Sequence, residues 1–98
     1  MSIALRLVVA EDEAIIRLDL VEALRDCGYE VVADCDRGDD AVALVAEHAP
    51  DLALLDIKML GLSGTEAARA ITADSSTAVV MLTAFSQREL IDEASDAG

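Results

Sequence analysis

The sequence predicts an α/β domain built on a doubly wound parallel sheet, and three observations carry that expectation. Short aliphatic runs alternate with segments of helical periodicity, four times in 98 residues. The runs are apolar on nearly every residue, as in strands buried on both faces, where a half-exposed sheet would alternate. Connections between units are short, and right-handed crossovers between parallel strands then lay helices on both sides of the sheet.

Each element follows from its residues. Residues 4–10, ALRLVVA, form the first strand. In EDEAIIRLDLVEALRDCG, residues 11–28, Ile16, Leu20, Ala23, Leu24 and Cys27 recur at helical spacing, and Gly28 ends the helix. YEVVA at 29–33 is the second strand, DDAVALVAEH at 39–48 the second helix and DLALLD at 51–56 the third strand. His48, at that helix's end, suits the negative pole of the helix dipole. The third helix spans 63–72 with Ser63 as its N-cap. TAVVMLT at 77–83 is the fourth strand, and RELIDEASDA at 88–97 the fourth helix. Nothing along the chain reads as a linker, so one domain spans 1–98.

Composition narrows the function. A net charge of -13, from 20 acidic and 7 basic residues, repels phosphate backbones and anionic lipid. Aromatics are only Tyr29 and Phe85, which leaves no platform for stacked bases. The expectation is no direct nucleic-acid binding. Cys27 and Cys35 lack CxxC spacing and clustered histidines, so free thiols are expected rather than zinc or a disulfide framework. The longest apolar runs, 7–10 and 78–82, are strand-length, far below the ~20 residues of a membrane helix. A soluble, cytoplasmic protein is expected.

In such a sheet ligands bind outside the carboxyl ends of the strands. The first strand runs into Glu11, Asp12 and Glu13, the third ends at Asp56 and the fourth at Thr83. If the first and third strands are neighbours, Glu11, Asp12 and Asp56 converge. At ~5 Å and an effective dielectric of ~20, each such pair repels by about 3 kcal/mol. A divalent cation would offset this, and hard oxygen donors without soft ligands favour Mg2+. Asp12 has a second reading, as a helix N-cap, and Glu13 is expected to serve the helix dipole in the first turn.

Asp56 cannot cap the next helix, because residues 57–62 intervene. A carboxylate beside a cation at a strand end is a candidate nucleophile toward a phosphoryl group. Thr83 can donate its hydroxyl to that group, and the small Ala84 beside it leaves room for the group to enter.

AEDE after the first strand, LLDIKM around Asp56, the G-x-x-G of GLSG and LTA at the fourth strand end together resemble the receiver domain of two-component response regulators. The resemblance covers the whole chain in order and implies a flavodoxin-like sheet of order 2-1-3-4. It further implies that Asp56 accepts phosphate from a sensor histidine kinase and that Glu11 and Asp12 bind Mg2+ with Asp56. The Lys58 backbone carbonyl would complete the metal's protein ligands, Thr83 would read the phosphoryl group and Ala84 would border its access. The wording AEDEAIIRLDLVEALRDCGYEVV and LTAFSQREL is similar to receivers joined to an RNA-binding ANTAR domain, which acts in transcription antitermination.

The family places Pro where Leu60 stands and Asp where Ser63 stands, and it continues into a fifth strand, a Lys-Pro and a last helix. The expectation is therefore a receiver lacking its fifth strand and that lysine; Lys58, the only lysine, is not expected to replace it. Phe85 is expected to pack. An uncovered fourth strand would invite a homodimer through the sheet edge or through the helix after Thr83.

Two other classes of function stand beside the phosphoacceptor. One is a phosphorylation-independent interaction module signalling by dimerisation. The other is a metal-dependent phosphatase, which wants an acid where Lys58 stands. No GxGxxG or GxxxxGK[ST] loop occurs, and GLSGT falls one residue short of a GxSxG elbow.

Overall fold

A computed structural model of the protein describes residues 4–59 and 61–82. Within them the chain runs β1 (Arg6–Ala10), α1 (Ala14–Asp26), β2 (Glu30–Cys35), α2 (Gly38–His48), β3 (Leu52–Asp56), α3 (Gly64–Asp74) and β4 (Ala78–Leu82). The four strands form one parallel sheet in the order β2-β1-β3-β4. This is the expected doubly wound α/β architecture. Thr83, Ala84, Phe85 and the helix read at 88–97 lie outside the described residues.

The near-continuous apolar character of β1 and β3 follows from burial on both sides. Val8, Ala10, Ala53 and Leu55 point to one face and pack with Ala41 and Val45 of α2 and Ala67 and Ile71 of α3. Leu7, Val9 and Leu54 point to the other and meet Val31 and Val21, with Leu20 and Leu24 against them. Period-two alternation thus splits one strand between two cores.

Two readings of the sequence need correction. The second strand was expected over 29–33 but extends to Cys35. Its register slips at Val32, so that Leu7 pairs Val31 and Val8 pairs Ala33, and pairing then continues through Asp34 and Cys35. β2 is an edge strand, so Asp34 can stand exposed, where it pairs with Arg17 at 3.3 Å. The apolar pattern stops before the strand does.

The buried face of α1 is also different. Val21 is buried and Leu20 and Leu24 pack on the sheet, whereas Ile16, Ala23 and Cys27 are exposed, as are Ile15 at 78% and Leu18 at 61%. Aliphatic residues occupy nearly every side of this helix, so spacing alone does not choose among its faces.

The expected helix ends are present. Gly28, at φ 95°, closes α1: its N–H donates to Arg25 O and that of Tyr29 to Leu24 O, the paired bonds of a Schellman turn. Ser63 caps α3 in a capping box, its hydroxyl accepting from Glu66 N while the Glu66 carboxylate accepts from Ser63 N. At the end of α2, Arg6 donates to the carbonyl of His48 at 2.9 Å, tying the helix to β1.

Candidate functional site

The topology brings the expected carboxylates together. Because β1 and β3 are parallel neighbours with Ala10 opposite Leu55, the residues that follow, Glu11 and Asp56, emerge side by side. Oxygen atoms from Glu11, Asp12 and Asp56 lie within 4.8 Å of one another, the one such grouping of acids among the described residues. Glu11 and Asp56 are only 3% and 6% exposed; Asp12 is exposed.

Local bonds fix this geometry. Glu11 N–H donates to Cys35 O at 3.0 Å, and the Glu11 carboxylate accepts from Glu13 N–H at 3.0 Å. Arg17, one turn into α1, reaches back and donates from Nη1 to the Glu11 main-chain carbonyl at 2.7 Å. At Asp56 the strand ends, and Ile57 N–H donates to Leu82 O at 3.3 Å. The following loop closes when Gly64 N–H donates to Ile57 O at 2.8 Å. A side chain on Gly64 would run into the Asp56 main-chain carbonyl and stand 2.8 Å from Met81 Cε, so only glycine allows α3 to begin this close to β3.

Crowding shows in the electrostatics. Burial, contact with Asp12 and the charges of Asp56 and Asp12 raise the Glu11 carboxyl from its ordinary 4.5 to about 7, against the opposing pull of the Glu13 N–H. Burial, then the contact and charge of Asp12, raise Asp56 as well, partly offset by hydrogen bonds with Glu11 and Ile57. Two buried acids beside a third lose solvation and gain repulsion together. A cation would reverse both penalties, and three carboxylate oxygens this close form the hard donor set that suits Mg2+. The nearby thiol is not competing: burial holds Cys35 up at about 11, and its Sγ lies 3.5 Å from Arg37 O as a donor.

The remaining candidates fall as follows. Asp12 is not the cap of α1, because Glu13 holds that position and Asp12 lies one residue ahead with its carboxylate in the cluster. Glu13 is likewise not in the first turn; it is the N-cap in extended conformation, and its side chain makes no capping bond. Lys58 is an exposed residue of the loop after β3. Thr83 and Ala84 lie outside the described residues. The sequence reading passed over Arg17 and the steric role of Gly64. A glycine at the first position of a helix, where better helix formers are available, was the signal for the latter.

A four-stranded parallel α/β sheet with an acid cluster at the carboxyl ends of its two central strands is the arrangement that the resemblance to receiver domains implies. Residues 7–98 match the response regulator receiver domain, and the chain belongs to that family. It is 48% identical over 93 residues to the transcriptional regulatory protein PdtaR of Mycobacterium tuberculosis, covering 95% of this chain and 45% of that protein. It is 33% identical to the chemotaxis protein CheY of Bacillus subtilis, over 95% of this chain and 78% of CheY. The signal receiver domain of the response regulator NarL from Mycobacterium tuberculosis superposes with a TM-score of 0.86 at 32% identity, over 99% of this chain and 80% of that one. The chain thus spans less than half the length of PdtaR. No helix among the described residues is long and apolar enough to cross a membrane.

Proposed function

We propose that the protein is a phosphoacceptor switch in which Asp56 takes a phosphoryl group from a sensor histidine kinase in a Mg2+-dependent reaction. The observation that carries this reading is the Asp56 carboxylate, buried at the end of β3 and within 4.8 Å of Glu11 and Asp12, in a chain of the receiver family. Glu11, Asp12, Asp56 and the backbone carbonyl of Lys58 would hold the ion. When bound, Mg2+ would neutralise the phosphoryl oxygens and orient them for in-line transfer.

The chain's own part is to aim the nucleophile. The parallel strand holds Asp56 at the sheet's carboxyl edge, and burial keeps competing water from its carboxylate. An Asp56 oxygen forms a bond to phosphorus as the phosphorus–nitrogen bond of the kinase phosphohistidine breaks; the electron pair stays on the imidazole nitrogen, which then takes up a proton. Thr83, outside the described residues, would donate its hydroxyl to the new phosphoryl group, and Ala84 would border its access. The added charge of roughly -1.5 to -2 would pull the segment after β4 inward.

The role is regulatory rather than enzymatic turnover, and the setting cytoplasmic. The similarity to PdtaR, a transcriptional regulatory protein, and to receivers of ANTAR-type regulators supports an output in transcription antitermination. With a net charge of -13, RNA contact would fall to another module. A homodimer through the β4 edge or the segment after Thr83 belongs to the same reading.

Incubation with acetyl phosphate and Mg2+ tests it by intact mass. The parent should gain about 80 Da, the mass of one phosphoryl group, and Asp56→Asn should gain nothing. An unmodified parent would leave a phosphorylation-independent interaction module as the surviving reading.

A further inference from the structure

The loop between β3 and α3 does not hang free of the sheet; it rests on the start of α2. Gly38, the first residue of α2, is buried against Leu62. A side chain there would collide with the Leu62 carbonyl oxygen, with its carbonyl carbon 2.7 Å away. Gly61, at φ 77°, meets the same helix start from the loop side: a side chain would strike the Asp39 carboxylate, 2.8 Å from Cγ, and approach Arg37 Nη2 at 3.0 Å. That carboxylate is itself pinned. Arg37 grips it with Nε at 3.0 Å and Nη2 at 3.2 Å, and Asp40 N–H donates to it at 3.1 Å.

The loop thus meets the α2 start twice, backbone against backbone where Gly38 abuts the Leu62 carbonyl, and at Gly61 against the paired side chains of Asp39 and Arg37. At Gly38 the contact is fixed, because a backbone clash cannot be relieved by a rotamer change, while at Gly61 the left-handed backbone itself calls for glycine. The other end of the loop is closed by Gly64 N–H on Ile57 O. The loop is thus held at Ile57 and Gly64 and again at Gly61 and Leu62, and Lys58 lies between these two points in the sequence.

We propose that the α2 start, Gly38 with the Arg37–Asp39 fork, is a positioning platform for this loop and so sets how well its backbone completes the cation site. This rests on the reading of Glu11, Asp12 and Asp56 as a Mg2+ site. A backbone carbonyl ligand cannot be removed by substitution, so its placement is controlled only by what the loop rests on. Supporting contacts of this kind typically change metal affinity by roughly 10- to 100-fold.

Gly38→Ala gives a test with an inverted sign. Alanine improves helix propensity at a helical position, so a purely local effect would leave the protein equally or more stable. The platform predicts instead roughly tenfold weaker Mg2+ binding by calorimetry. It also predicts faster hydrogen exchange at the Gly64 amide, with the Ala49 amide at the far end of α2 unchanged. Arg37→Ala, which alters only surface atoms, provides the second variant, and Arg37→Lys should fall between it and the parent because it keeps a charge but not the fork. Parent-level Mg2+ affinity and Gly64 exchange in both Gly38→Ala and Arg37→Ala would overturn the platform. Absence of Mg2+ binding by the parent itself would instead overturn the metal reading beneath it.

Discussion

Two helices begin beside the same carboxylates, and they begin differently. α3 starts with a complete capping box, Ser63 and Glu66 each satisfying the other's backbone N–H, and the loop before it closes on Ile57. α1 starts at Glu13, whose side chain caps nothing, although three acids precede the helix. Two of them, Glu11 and Asp12, are turned into the cluster, and Glu11 reaches the helix only through a bond from Glu13 N–H. Local rules are obeyed at α3 and set aside at α1. Such departures are expected where side chains serve a site rather than the element that carries them.

The comparison can be broken most forcibly at Arg17. Its guanidinium bonds the Glu11 carbonyl at 2.7 Å and pairs with Asp34, tying α1 to both β1 and β2. Arg17→Ala removes this charge-assisted bond together with the Asp34 ion pair and should lower stability by about 2 kcal/mol, read by urea denaturation. It should weaken Mg2+ binding too, because Glu11 loses its anchor.

A smaller loss isolates the other helix. Ser63→Ala should lower stability by about 1 kcal/mol. Mg2+ affinity should stay at the parent's value in calorimetry, since neither Ser63 nor Glu66 belongs to the acid cluster and the Gly64–Ile57 and Gly38–Leu62 contacts that hold the loop do not involve the Ser63 hydroxyl. A large fall in affinity would mean that the two helix starts are not independent.

The pH dependence sharpens the contrast without a mutation. The Glu11 carboxyl is raised from 4.5 to about 7 in the folded state, so between those values the folded chain binds more protons than the unfolded one. The metal-free protein should therefore lose stability as pH rises from about 4.5 to about 7 and level off above, by linkage. Urea midpoints across that range would show it. Saturating Mg2+ should flatten the profile, because the ion competes with the proton for the same oxygens. The smallest effect is expected from Asp12→Asn, which removes one exposed charge: a gain of several tenths of a kcal/mol in metal-free buffer.

How much of this was legible in the sequence divides along the same line. β1 and β3 could be read directly, because strands buried on both faces are apolar at nearly every position, and their ends therefore stand out as Glu11 and Asp56. Ser63 and Gly28 could be read because capping is a local rule. The face of α1 could not, since Ile15, Ile16, Leu18, Leu20 and Val21 surround the helix with aliphatic side chains and periodicity has no contrast to report. The outer half of β2 was lost because an edge strand needs no apolar face at Asp34. Arg17, Gly38 and Gly64 act through contacts with residues distant in the fold or through backbone approach. A sequence registers these only as an arginine in a helix and as glycines where alanine would serve the helix better.

The central claim is that Glu11, Asp12 and Asp56 form a strained anionic site completed by a divalent cation. Thermal melting of the parent and of Asp56→Asn with and without Mg2+ tests it most directly. At ten times its dissociation constant the ion should stabilise the parent by about 1.4 kcal/mol, a rise of roughly 6 to 11 °C, and the variant should keep little of that rise. A parent whose melting temperature ignores Mg2+, or a variant that responds as fully as the parent, would contradict the account.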